Sequence, residues 1–141
     1  MPNTLEQLHF TTKVQGPLAA YRLGKHQVTQ TLRSDSSSIT DSIIRGRVSA
    51  GGRLEVVLDD RLVGNVELIS MDAVTWAALT IDDAHRGGFD SLAELENALQ
   101  RAGYRFKSLE EYELYRIQFT WLEEGPIPEE VAEKMEGRRL W

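Results

Sequence analysis

The sequence contains no cysteine. Disulfides, thiolate metal sites, iron–sulfur clusters and cysteine nucleophiles are therefore excluded. No apolar run approaches the about 18 residues of a membrane helix, so no membrane partner is expected. The opening residues, Met1-Pro2-Asn3-Thr4-Leu5-Glu6, lack the basic start and apolar stretch of a secretory signal, and the cytoplasm is the expected compartment. His9, His26 and His85 lie far apart without ligand spacing, so no metal and no cofactor is expected. There is no internal repeat and no heptad pattern. What is present is ordinary for one globular domain: 141 residues, 41% hydrophobic and 27% charged, enough to bury a core without staples.

Positive charge is in short supply. Sixteen Lys and Arg face 22 Asp and Glu, for a net charge of -6. That balance argues against non-specific binding to long nucleic acid, and no DNA partner is expected. The distribution is uneven. Residues 1–53 carry seven bases against three acids, whereas residues 54–141 carry nine against nineteen. A local anion-binding patch on an acidic body is one reading of this asymmetry, and solvated faces are the other.

The punctuation of the chain is clear in most places. Leu8 to Val14 has the β-branched and aromatic content of a first strand. Gly16-Pro17 opens a short helix, Leu18 to Leu23, which Gly24 ends. Residues 28–33 read as a strand, and residues 39–48 stay ambiguous because Gly46 interrupts a helical spacing of isoleucines. Gly51-Gly52 turns into the strand Arg53–Leu58, and Asp59-Asp60 turns that into a longer strand, Leu62 to Met71. Thr80-Ile81-Asp82-Asp83 starts a short helix that stops at Gly87-Gly88. Ser91-Leu92-Ala93-Glu94 reads as a capping box, ahead of the stripe Leu92, Leu95, Leu99. Leu114 to Leu122 alternates like a strand. The sum is an α+β, mainly β chain: a small closed or half-open β-barrel with short helices packed on one side. The expected domain spans 1–124, and residues 125–141 form a C-terminal helical appendage.

The most informative stretch runs from Gly24 to Ser36. Thr29, Thr31 and Arg33 alternate, so they project from one strand face as two hydroxyls and a guanidinium fork. Lys25 and the Ser34–Ser38 run flank them. Together these residues suit an anion or a base edge. The competing reading is that Thr29 and Thr31 are ordinary strand formers, Arg33 a surface residue and Ser34 part of a mobile loop. Trp76 is a candidate for stacking on a base or, alternatively, a core residue.

In order and spacing, the sequence resembles the ASCH domain of the PUA-like superfamily. The residues that carry the resemblance are Gly24, Lys25, Thr29 or Thr31, Arg33, then Gly51-Gly52-Arg53-Leu54, Gly88-Phe89-Asp90-Ser91 and Tyr115-Arg116-Ile117-Gln118-Phe119. It spans roughly residues 8–122. The resemblance implies a small β-barrel with a cleft between barrel and helices, lined by the Gly-Lys…Thr-x-Arg segment. It also implies a link to RNA: as a binder of RNA, a nucleotide or a modified nucleoside, as a ribonuclease, or as an amidohydrolase that deacylates acetylated cytidine.

The amidohydrolase pattern places a Lys three residues before its Thr and a Glu just before the Gly-Phe. Here the first position holds Val28 or, in the other register, His26, and the second falls on Gly87 or Gly88. As an enzyme the chain would have to use Lys25 and Thr31 as the reactive pair, with Asp83 in place of the Glu. As a binding module it would use Lys25, Thr29, Thr31, Arg33, Ser34 and Trp76. The displaced groups favour binding over chemistry. A third reading is a protein partner held by the acidic face and the C-terminal helix.

Overall fold

A computed structural model of the chain describes residues 5–34, 36–104 and 113–122. The expected C-terminal helix, 129–136, lies outside the described residues. The first strand, β1 (Glu6–Phe10), is shorter than its β-rich sequence suggests. Thr11 ends it, because the Thr11 hydroxyl accepts from the Val14 N–H and caps a one-turn helix, α1 (Thr12–Gln15). Asp59 holds that turn from the far end of the next hairpin, accepting from the Thr12 N–H at 3.0 Å and the Thr12 hydroxyl at 2.5 Å. Helix α2 (Ala19–Gly24) then leads to β2 (Gln30–Arg33). The ambiguous isoleucine segment is helical, α3 (Ser38–Ile44), and stops before Gly46.

The expected hairpin is present as β3 (Arg53–Leu58) and β4 (Arg61–Thr75). Asp59 and Asp60 both adopt left-handed backbone, φ 49° and 68°, as a two-residue hairpin turn requires. The long β4 carries a bulge at Ile69, between the pairs Leu68–Phe119 and Ser70–Gln118. This extra residue bends the strand and shifts its facing side chains.

A short 3-10 turn at Trp76–Ala78 precedes α4 (Ile81–Arg86) and α5 (Leu92–Arg101). Ser91 caps α5 as expected, but the Glu94 carboxylate accepts from the Asp90 N–H at 2.7 Å, one residue before the N-cap. The reciprocal capping box belongs instead to α4, between Thr80 and Asp83. The last described strand is β5 (Glu113–Trp121).

The five strands lie in the order β1-β3-β4-β5-β2. Among the described residues only β1 and β3 pair in parallel. The result is a half-barrel with its two edges at β1 and β2. One core fills its inside, built on Leu8, Leu23, Leu54, Val66, Ile117 and Phe119. A second packs α4 and α5 on Leu32, Val74 and Leu114. Ile117 and Leu114 differ in parity, so β5 serves both cores from opposite faces.

Candidate nucleotide-binding cleft

The two edges of the half-barrel meet at one side chain. Arg33, the last residue of β2, donates from Nη2 to the His9 carbonyl of β1 at 2.7 Å. Its Nε donates to the Thr31 hydroxyl at 3.0 Å, so the two residues share a face as their alternation requires. Its guanidinium carbon stands 5.1 Å from the centre of the Phe10 ring. Around this point opens a cavity of about 220 Å³. Thr31 and Arg33 form one wall and Phe10 another, and α4 and α5 close it with Phe89, Leu95 and Leu99. Tyr104 stands beside them.

Among the described residues no carboxylate pairs with Arg33. Burial therefore acts on its charge with little opposition. Loss of water lowers the guanidinium pKa to about 10, and the Tyr104 phenol offsets only part of that. Arg33 remains a cation at neutral pH. An arginine carries five N–H donors, and two of them are engaged among the described residues.

Asp83 lines the same cavity and is 1% exposed. Its Oδ1 accepts from Gln30 Nε2 at 2.9 Å and from Arg116 Nη1 at 2.8 Å. Its Oδ2 accepts from the Thr80 N–H at 2.9 Å. Gln118 Nε2 in turn donates to Gln30 Oε1 at 3.0 Å. Burial alone would raise the carboxyl pKa, but the bonds from Gln30, Arg116 and Thr80 and the Arg116 charge outweigh it, and the pKa falls. Arg116 also holds Asp72 at 3.0 Å, so this cation is fully paired.

Of the residues expected in the site, Thr31, Arg33 and Asp83 converge on the cleft. Lys25 does not line it. The chain turns at His26, whose φ is 59°, and the His26 ring stacks on Trp121 at 4.3 Å. Lys25 is left at the end of α2 with its Nζ 5.9 Å from the Tyr21 ring. The loop does not bring the amine back to the cleft. Thr29 also stands apart, its N–H donating to the Arg86 carbonyl and its carbonyl accepting from Phe119. Ser34 lies past the rim, where its N–H donates to the Tyr104 hydroxyl at 3.2 Å. Trp76 is 2% exposed within the second core and presents no face for stacking.

Phe10, His9 and Tyr104 are wall residues that pattern reading missed. No local signal marks them, because His9 and Phe10 join Arg33 only when the sheet curls, and Tyr104 only when α5 packs against it. Among the described residues no cluster of His, Asp or Glu could hold a metal ion.

No family model and no curated protein matches the sequence. Solved structures do. A DUF984-family protein of Enterococcus faecalis V583 superposes with a TM-score of 0.59 at 13% identity, over 84% of this chain and 81% of that one. An ASCH domain from Lactobacillus crispatus JV V101 superposes with a TM-score of 0.51 at 18% identity, over 72% of this chain and 69% of that one. The fold is ASCH-like. Within this ASCH-like frame the half-barrel and the α4–α5 pair face each other across the cavity just described. The motif residues Thr31 and Arg33 stand on its barrel side.

Proposed function

We propose that the cleft binds a nucleoside or nucleotide, as a free ligand or within RNA, and that Arg33 is its principal polar anchor. The observation that carries this reading is a half-buried cation that, among the described residues, has unused donors and no carboxylate partner. An arginine in this state is matched by a phosphate, a carboxylate or the acceptor edge of a base. The aromatic and aliphatic walls at Phe10, Phe89 and Leu99 suit a flat ring.

Catalysis has weaker support. Lys25 is turned away, and Asp83 is a carboxylate with a lowered pKa and occupied acceptor positions. General acid–base work needs a carboxyl tuned upward toward neutral pH. No measurable deacylation of acetylated cytidine is expected. An assay following loss of the acyl group, with turnover reaching about 1 per second, would overturn this.

The binding test is calorimetric titration with the four ribonucleosides and their 5′-monophosphates. Arg33→Ala is expected to weaken binding by about 1–3 kcal/mol. Equal affinity in parent and variant would remove Arg33 from the site.

A further inference from the structure

A groove of about 620 Å³ opens between the α1–α2 turn and α5. Gln15 and Phe89 line both this groove and the cleft, so the two spaces are contiguous. The charges in its lining are unevenly answered. Arg22 is paired with Asp90 at 3.1 Å, and Glu94 accepts from the Asp90 N–H. Lys13 and Arg101 lie together, because Arg101 donates to the Lys13 and Val14 carbonyls at 3.1 and 2.6 Å. Both are exposed, and among the described residues neither has a carboxylate partner. The groove also carries apolar surface on Pro17 and Leu18, and Leu18 is 51% exposed.

Leu122, the last described residue, follows a strand that ends near this groove. Its neighbour Trp121 donates from Nε1 to the Val28 carbonyl at 2.8 Å and stacks on the His26 ring. His26 and Val28 both follow α2, so β5 ends by the C-terminal end of that helix. Arg22, in the last turn of α2, reaches across to the Gly88 carbonyl and lines the groove. Leu18 lies at the other end of α2, about 9 Å away for six helical residues. Only a few extended residues, at about 3.3 Å each, cover that span.

The sequence that follows Leu122 is strongly acidic. Residues 123–136 carry six glutamates against one lysine. Ile127, Val131 and Met135 recur among them at every fourth position.

We infer that residues 123–136 of the chain itself dock in this groove. Their glutamates answer Lys13 and Arg101, and their apolar side chains cover Pro17 and Leu18. Charge complementarity and the position of Leu122 together select this occupant. A segment tethered so close acts at a high effective concentration, which a free acidic peptide or a soluble anion lacks. The groove is contiguous with the cleft, so the docked segment places negative charge at the mouth of the cleft and opposes an anionic ligand there. That competition rests on the nucleotide-binding reading of the cleft; the docking does not.

The absence of cysteine allows a test in the full chain. A nitroxide is attached at Asn97→Cys, an exposed position in the groove. Paramagnetic broadening is expected at the Ile127, Val131 and Met135 methyl groups. Lys13→Glu should weaken it, and so should Glu129→Lys combined with Glu130→Lys. Broadening that is absent from these methyl groups, or that survives both changes, would overturn the docking. Broadening seen only between a spin-labelled chain and a separate isotope-labelled chain would assign the groove to a second copy and overturn it equally. The competition is read by titration with the ribonucleoside 5′-monophosphates. Replacing Glu129, Glu130 and Glu133 with Gln should raise affinity about three- to tenfold, as for a segment that covers the mouth about two-thirds to nine-tenths of the time. Unchanged affinity, with the parent's broadening intact, would overturn the competition. A chain that binds no nucleotide would overturn the reading of the cleft, and the broadening would still decide the docking.

Discussion

Two arginines one residue apart in the strand pairing have opposite surroundings. Leu32 pairs with Arg116 and Arg33 with Tyr115. Arg116 lies between two carboxylates, Asp72 and Asp83, and their hydrogen bonds raise its pKa above the ordinary arginine value against an opposing loss of water. Arg33 has a hydroxyl, a carbonyl and an aromatic face, and burial lowers its pKa to about 10. Chemically they are the same group. Their partners make one a closed structural element and the other a cation with donors to spare. A buried or half-buried charge points to a ligand only when its own chain has not already answered it.

Breaking the closed pair should have the largest effect. Arg116→Ala leaves the 1% exposed Asp83 carboxylate with Arg86, at 3.9 Å, as its remaining cation among the described residues, and a loss of about 2–4 kcal/mol of stability is expected, read from denaturant melts. The same pair sets an acid limit. The folded pKa of Asp83 is lowered, so its contribution is present above the unfolded carboxyl pKa of about 3.9 and is lost as pH falls through the folded value. In Asp83→Asn that part of the acid-induced loss should vanish. An unchanged acid limb of stability against pH would assign the effect to other carboxylates.

Removing the open cation acts differently. Arg33→Ala should weaken nucleotide binding by about 1–3 kcal/mol. It should also cost about 1 kcal/mol of stability, because the bridge to the His9 carbonyl is lost. Tyr104→Phe comes next. It deletes the hydroxyl that accepts from the Ser34 N–H, and about 0.5–1 kcal/mol of stability should go with it, with ligand affinity nearly kept. The smallest effect is expected at Lys25. Lys25→Ala should leave nucleotide affinity unchanged in the same titration, and a loss comparable to that of Arg33→Ala would mean that the amine reaches the cleft after all.

The ease of reading these elements from the sequence follows the range of the forces that form them. Helices α4 and α5 and the β3–β4 hairpin depend on caps, turns and periodicity within a few residues, so Thr80, Ser91 and Asp59-Asp60 announce them. Thr31 and Arg33 share a face because a strand alternates, which is equally local. Strand β1 ended early because the Thr11 cap competes with its β-branched run, and the winning partner, Asp59, is 47 residues from Thr12. Lys25 was displaced by a left-handed residue at His26, a position where sequence gives no warning of positive φ. A Trp after a long strand is more often core than a stacking surface, and Trp76 follows that rule through its packing with α4 and α5. Asp83 reaches the cleft through the packing of α4 on β2, which brings Gln30 within 2.9 Å across 53 residues.

The contrast between the two arginines can be read in one experiment. The guanidinium Nε–Hε resonances of Arg33 and Arg116 can be followed by NMR while the chain is titrated with the four ribonucleoside 5′-monophosphates. The Arg33 resonance is expected to move with saturation, together with the Phe10 and Tyr104 rings, while the Arg116 resonance stays in place. An Arg33 resonance that stays fixed while the nucleotide binds elsewhere, or two arginines that shift alike, would contradict the account.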